Sequence, residues 1–214
     1  ANHSFSFANY YDPDKVHFGT LRVLNDDFVA PGMGFGMHPH SNMEIVTIPL
    51  SGELHHKDSM GNFGAIKKGE IQVMSAGTGV QHSEFNGSEE NPVTLFQIWV
   101  IPNKMNVEPR YDQIKISDHA VENEFQQIIS PNAEDAGSWI HQDSWFHLGH
   151  FSQAMEKTYE VKKSGNGVYV FVVHGSLTIG DTLLNQRDAL GVWDTEKFEM
   201  QISADSEVLL IEVP

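Results

Sequence analysis

The chain has 214 residues, 40% of them hydrophobic and 20% charged, which suits one large or two small domains with buried cores and leaves no sign of disorder. Asp and Glu outnumber Lys and Arg by 29 to 13, for a formal charge of -16. Such a surface repels phosphate backbones and anionic lipid and argues against direct nucleic-acid or membrane binding. The absence of cysteine removes disulfides, thiolate ligands and iron–sulfur clusters together, so any metal must be held by nitrogen and oxygen. There is no apolar run of about 18 residues and no charged-then-apolar leader, which makes the cytoplasm the default expectation and small molecules or other proteins the expected partners.

Residues 1 to 31 carry Phe5, Phe7, Tyr10 and Tyr11, expected to serve core or interdomain packing, and turn chemistry at Asp12 and Pro13. Leu21, Val23 and Leu24 predict a strand, and Pro31, Gly32, Gly34 and Gly36 a flexible entry to the next one. That next strand holds His38 and His40. His82 and Glu84 repeat the spacing 44 residues later. Residues i and i+2 of a strand point to the same side. If the two strands are neighbours, three imidazoles and one carboxylate converge on a point with metal-ligand chemistry. Glu44 has the same parity as His38 and His40 and is the rival carboxylate. Glu84 is preferred because i+2 lies nearer its partner along a strand than i+4, which leaves Glu44 an orienting or structural hydrogen-bonding role.

Further strands are predicted around Ile45–Leu50, at Leu54–Lys57 and at Gly69–Met74, with a tight turn at Gly61 and Asn62. The segment 92–101, PVTLFQIWVI, is the most strand-like of the chain. His55 and His56 lie near the candidate site, where one could face the cavity as an acid or base, but both read better as exposed strand-end histidines. His141, His147, His150 and His174 lack partners at i+2 and read as structural. Residues 102 to 135, with Pro102, Pro109 and Pro131, form a connection with a helical turn at 120–125 and a strand at 127–129. Short strands then recur at 168–173, 177–179, 188–193 and 208–213.

Laying Gly52 on Gly175 aligns VTIPLSGEL with YVFVVHGSL, which suggests an internal duplication. The same offset places Val161 and Lys163 at the positions of His38 and His40, and Met200 and Ile202 near those of His82 and Glu84. The expectation is an all-β chain of two double-sheet jelly-roll modules packed together, 1–125 binding the metal and 126–214 degenerate and metal-free. Three nitrogens and one oxygen leave open positions on an octahedral ion. Fe(II) is the first choice, with Mn, Co, Ni, Cu or Zn compatible.

Gly32, His38, His40, Glu44 and Gly52 resemble the first cupin motif, and Gly69, Gly77, His82 and Asn86 the second, with Gly52 and Gly77 slightly displaced. More narrowly, MHPHSNMEIVT, HKDSMGN, MSAGTGVQHSEFN, FSFANYYDP and RVLNDDFVAPGMGFG resemble the pirin family, bicupin proteins that include bacterial quercetin 2,3-dioxygenases. The resemblance covers nearly the whole chain. It implies a metal-free second cupin, favours Glu84 over Glu44 as the carboxylate ligand, and points to cleavage of a flavonol such as quercetin with O2. In that reading His38, His40, His82 and Glu84 hold the ion. Glu84 could also act as the base, and Phe35 and Met37 are candidates to flank a planar aromatic substrate. The alternative is a non-enzymatic metal-binding regulator that acts through protein partners.

Overall fold

The computed structural model describes all 214 residues. Strands dominate it, and no helix is long and apolar enough to cross a membrane. It divides into two compact units, Ala1–Asp118 with Ile140–Gln142, and His119–Trp139 with Asp143–Pro214.

The first unit contains β1 (Asn2–His3), β2 (Leu21–Val29), β3 (Gly34–His40), β4 (Glu44–Ser51), β5 (Glu53–Asp58), β6 (Phe63–Lys67), β7 (Glu70–Ser75), β8 (Val80–Asn86), β9 (Val93–Val100) and β10 (Arg110–Lys115). Two sheets result, ordered β1-β2-β9-β4-β7-β10 and β3-β8-β5-β6. The second unit has β11 (Phe125–Ser130), β12 (Ser138–Trp139), β13 (Trp145–Phe151), β14 (Met155–Glu160), β15 (Gly167–His174), β16 (Ser176–Ile179), β17 (Thr182–Asn185), β18 (Ala189–Val192), β19 (Lys197–Ile202) and β20 (Ser206–Val213). Its sheets run β12-β11-β13-β20-β15-β18 and β14-β19-β16-β17. Strands β2 to β9 and β13 to β20 therefore follow one plan, the bicupin arrangement. The helical turn expected at 120–125 lies at Ser117–His119 instead. Asn123 takes a φ of 67°, which a right-handed helix does not allow.

The shared plan is clearest at its tightest turns. Gly52 joins β4 to β5 at φ 73° and Gly175 joins β15 to β16 at φ 79°, a region that side chains enter only at a cost. A Cβ would also lie 2.8 Å from Val93 Cγ2 at Gly52 and 2.8 Å from Ser206 Cα at Gly175.

Inside the first unit the core is layered. One apolar cluster gathers Val29, Leu54, Ile66, Val93 and Leu95; another gathers Ile45, Met74, Ala76 and Val80, with Met43, Met60 and Trp99 against it. Along β9 the residues of one face run Val93, Leu95, Gln97, Trp99, so a polar position separates the two clusters. Thr47, His56, Gln72, His82 and Glu84 are buried as well. This polar layer holds the candidate site.

Candidate metal centre

The site begins with a bulge. On β3 the ladder to β8 pairs Gly34 with Phe85 and Phe35 with Glu84, then shifts and pairs His38 with His82. One extra residue on β3 re-aims the strand, and the carbonyl of Gly36 within the bulge accepts a hydrogen bond from His38 Nδ1 at 2.8 Å. That contact fixes the tautomer and leaves Nε2 with its lone pair. Gly34 permits the close approach of the strands, since a Cβ there would lie 2.6 Å from Phe85 Cα.

His38, His40 and His82 come together, their candidate donor atoms all within 4.8 Å of one another. The ring centroids of His38 and His82 are 4.4 Å apart, and His40 is 4.9 Å from each. Burial, and then the neighbouring His38, lowers the pKa of His40 to about 4. Burial, and then the charges His38, His40 and His56 would carry, lowers that of His82 to about 3. Both rings are neutral at physiological pH. His82 is 1% exposed, and neither of its buried nitrogens has a hydrogen-bond partner. An unpaired polar atom in that position costs about 1–3 kcal/mol. Neutral imidazoles with available lone pairs are a donor set for a divalent cation.

Glu84 joins His82 in a second group of three, completed by His56, again with donor atoms within 4.8 Å. His82 thus belongs to both groups. The Glu84 carboxylate accepts from Gln97 Nε2 at 2.9 Å and from Thr47 Oγ1 at 3.4 Å. Burial pushes its pKa up to about 7, against the lowering effect of those two hydrogen bonds. Glu44 stands apart from both groups. It accepts from Ser75 Oγ at 2.7 Å, and burial raises its pKa against the Ser75 bond, the His141 amide and the Arg110 charge.

The expectation for His56 is corrected. It is 1% exposed rather than a surface residue, and on the β5–β8 ladder it lies opposite Glu84, as Asp58 lies opposite His82. The alternation of β5 carried the signal, because His56 shares a face with the fully buried Leu54. His55, on the other face, is half-exposed and pairs with Glu53 at 2.6 Å. Phe35 and Met37 are exposed, and so are Tyr10 and Tyr11, which corrects the expectation that these two tyrosines are packing residues of a core. Phe7 packs edge-on against Trp99, and Trp99 edge-on against His40. Among the other histidines, His147 is buried beside Tyr159 and His150 faces Glu207 at 3.5 Å.

The ladders identify the counterparts in the second unit. His38 pairs with His82 and Leu54 with Asn86 in the first; Tyr159 pairs with Phe198 and Leu177 with Ile202 in the second. His38, His40, His82 and Glu84 therefore correspond to Tyr159, Val161, Phe198 and Met200. The alignment from sequence is displaced by two residues at each of these positions. Tyr159, Phe198 and Met200 belong to the apolar core and Val161 packs against it. The buried Glu212 carboxylate accepts from the Tyr159 hydroxyl at 2.9 Å, the Lys162 and Lys163 amides at 2.8 and 3.0 Å, and Asn166 Nδ2 at 2.9 Å.

Comparison with known proteins gives the same architecture. The Pirin family model matches residues 1–100, and the model for the quercetinase C-terminal cupin domain matches residues 127–213. A quercetin 2,3-dioxygenase of Escherichia coli K12 is 41% identical over 212 residues, covering 99% of this chain and 90% of the relative. A pirin-like protein of Caulobacter vibrioides is 36% identical over 213 residues, 99% of this chain and 91% of its own. The crystal structure of the bacterial pirin YhhW from Escherichia coli in complex with nickel(II) superposes with a TM-score of 0.93 at 39% identity, over 99% of this chain and 90% of that one. With its duplicated cupin plan and these matches along its length, the chain belongs to the pirin family.

Proposed function

We propose that this protein is a metal-dependent quercetin 2,3-dioxygenase, opening the central ring of a flavonol with incorporation of both atoms of O2 and release of carbon monoxide. The observation that carries this reading is the group of three histidines, His38, His40 and His82, in which the buried His82 has no hydrogen-bond partner at either nitrogen. The relatives named quercetin 2,3-dioxygenase support the substrate class.

In this reading His38, His40, His82 and Glu84 hold one divalent ion, Fe(II) by preference. Held there with positions left open, the ion would supply Lewis-acid chemistry that lowers the pKa of a substrate hydroxyl. The residues of the chain do the rest. Gly36 orients His38, and Gln97 and Thr47 orient Glu84, which is how partners behind a ligand set its geometry. Glu84, an acceptor-only group when ionised, takes the proton of the flavonol hydroxyl. Of the proposed ligands only His40 lines a cavity of about 400 Å³, together with Pro39, Ser41, Ser59, Gly79, Val80 and Gln81, a volume in the range of small-molecule sites.

Dioxygen uptake by Fe(II)-loaded protein with quercetin, against the chelated protein, tests the reading. Uptake that requires both metal and flavonol is expected. No uptake with Fe(II), Mn(II), Co(II), Ni(II) or Cu(II) would overturn it and leave the regulator acting through protein partners as the function to pursue.

A further inference from the structure

The four proposed ligands are not held in the same way. His38 is tied to the Gly36 carbonyl, and Glu84 to Gln97 and Thr47. His82 has no hydrogen bond at either ring nitrogen, so packing alone sets its orientation. Three rings surround it, His38 at 4.4 Å, His40 at 4.9 Å and His56 at 5.4 Å between centroids. Only His56 lies outside the ligand set.

His56 is itself immobilised from several sides. Its Nε2–H donates to Asp58 Oδ2 at 3.1 Å, and its Nδ1 accepts from Gln72 Nε2 at 3.0 Å. Asp58 is locked in turn by the amides of Met60 and Asn62 and by Asn62 Nδ2, each at 2.9 Å. Tyr111 packs on the His56 ring with centroids 5.0 Å apart. Both His56 nitrogens are engaged, so acting as a ligand would break one of these bonds. A clamped, neutral ring lying opposite Glu84 on the ladder is suited to support its neighbours.

We propose that His56, clamped by Asp58 and Gln72, is a positioning residue of the metal centre, holding the His82 ring and the space beside Glu84 in the geometry the ion requires. The proposal rests on the reading of His38, His40, His82 and Glu84 as that centre. It predicts that changes behind His82 act on the metal even though they remove no ligand.

Co(II) is the probe, followed by its visible spectrum and by chelator competition in wild-type, His56→Phe, Gln72→Leu and doubly substituted proteins, with unfolding of the chelated forms as the control for folding. His56→Phe is expected to weaken Co(II) binding about 10–100-fold, the usual effect of removing a group behind a ligand, and to shift the visible bands. Gln72→Leu is expected to act in the same direction and to add nothing in the His56→Phe background. Wild-type affinity and spectrum in a folded His56→Phe protein would overturn the proposal. If His56→Phe does not fold, Gln72→Leu decides alone, and unchanged Co(II) binding there overturns it. Absence of Co(II) binding by the wild type, or full binding by His82→Ala, would overturn the metal reading itself and is distinguishable from either result.

Discussion

Replacing His82 by leucine should separate stability from metal binding. In the chelated protein the ring is neutral down to about pH 3 and buried with two unpaired nitrogens, each of which costs about 1–3 kcal/mol. Leucine fills a similar space and removes both atoms, while reshaping the contacts with the surrounding rings costs on the order of 1 kcal/mol. The net expectation is a chelated variant more stable than chelated wild type by roughly 1–5 kcal/mol, or about 2–20 °C in Tm at the usual 2–4 °C per kcal/mol. Metal offsets that advantage. Wild type gains about 2.7 kcal/mol at a free-ion concentration 100 times Kd, and the variant gains little. Calorimetry of both proteins, chelated and loaded with Ni(II), reads all four values. A chelated variant less stable than wild type by more than about 1 kcal/mol, a loss of the size expected when a satisfied core residue is removed, would refute the reasoning, as would equal stabilisation of both proteins by metal.

The two carboxylates should part company. Glu84→Gln is predicted to lower metal affinity by more than about tenfold while Glu44→Gln, whose side chain is engaged with Ser75, retains the ion, as metal analysis after desalting would read. The second unit carries a pH dependence of its own. Burial, and then the Lys162 charge, lowers the pKa of His147 from 6.5 to about 4, so the unfolded chain takes up the proton first as pH falls. Stability is full above pH 6.5 and declines between 6.5 and 4 by about 3 kcal/mol. Urea midpoints across that window should fall less in His147→Leu than in wild type, the decline that remains coming from His40 and His82, whose pKa values are also lowered.

Much of the first barrel could be read from sequence because inward and outward residues alternate and the glycines mark its turns. His38 with His40 and His82 with Glu84 needed only strand parity and adjacency, and the β3–β8 ladder supplies the adjacency. The bulge that sets His38 opposite His82 was not legible, since Phe35, Gly36 and Met37 carry no signal of which residue is the extra one. His56 was missed for a different reason. Its residue type, an unpaired histidine, points to the surface, whereas Leu54 on the same face of β5 points inward. Strands such as β14 and β19 are hard to read because charged residues on their exposed faces dilute the apolar pattern. In β19 the buried positions Phe198, Met200 and Ile202 alternate with Lys197, Glu199 and Gln201.

The equivalence of Tyr159, Val161, Phe198 and Met200 with His38, His40, His82 and Glu84 has a consequence for how such duplicates diverge. The ladder and the left-handed glycine turn are retained in both copies, because altering either would disturb every strand at once. The proposed ligands are four side chains of the first copy, and the second copy has other residues at those positions on the same frame. Tyr159→His, Val161→His, Phe198→His and Met200→Glu would rebuild the donor set on the second copy, at the expense of the Tyr159 hydroxyl that Glu212 now accepts. The second copy thus keeps the barrel while packing an apolar core where the first gathers its nitrogen donors.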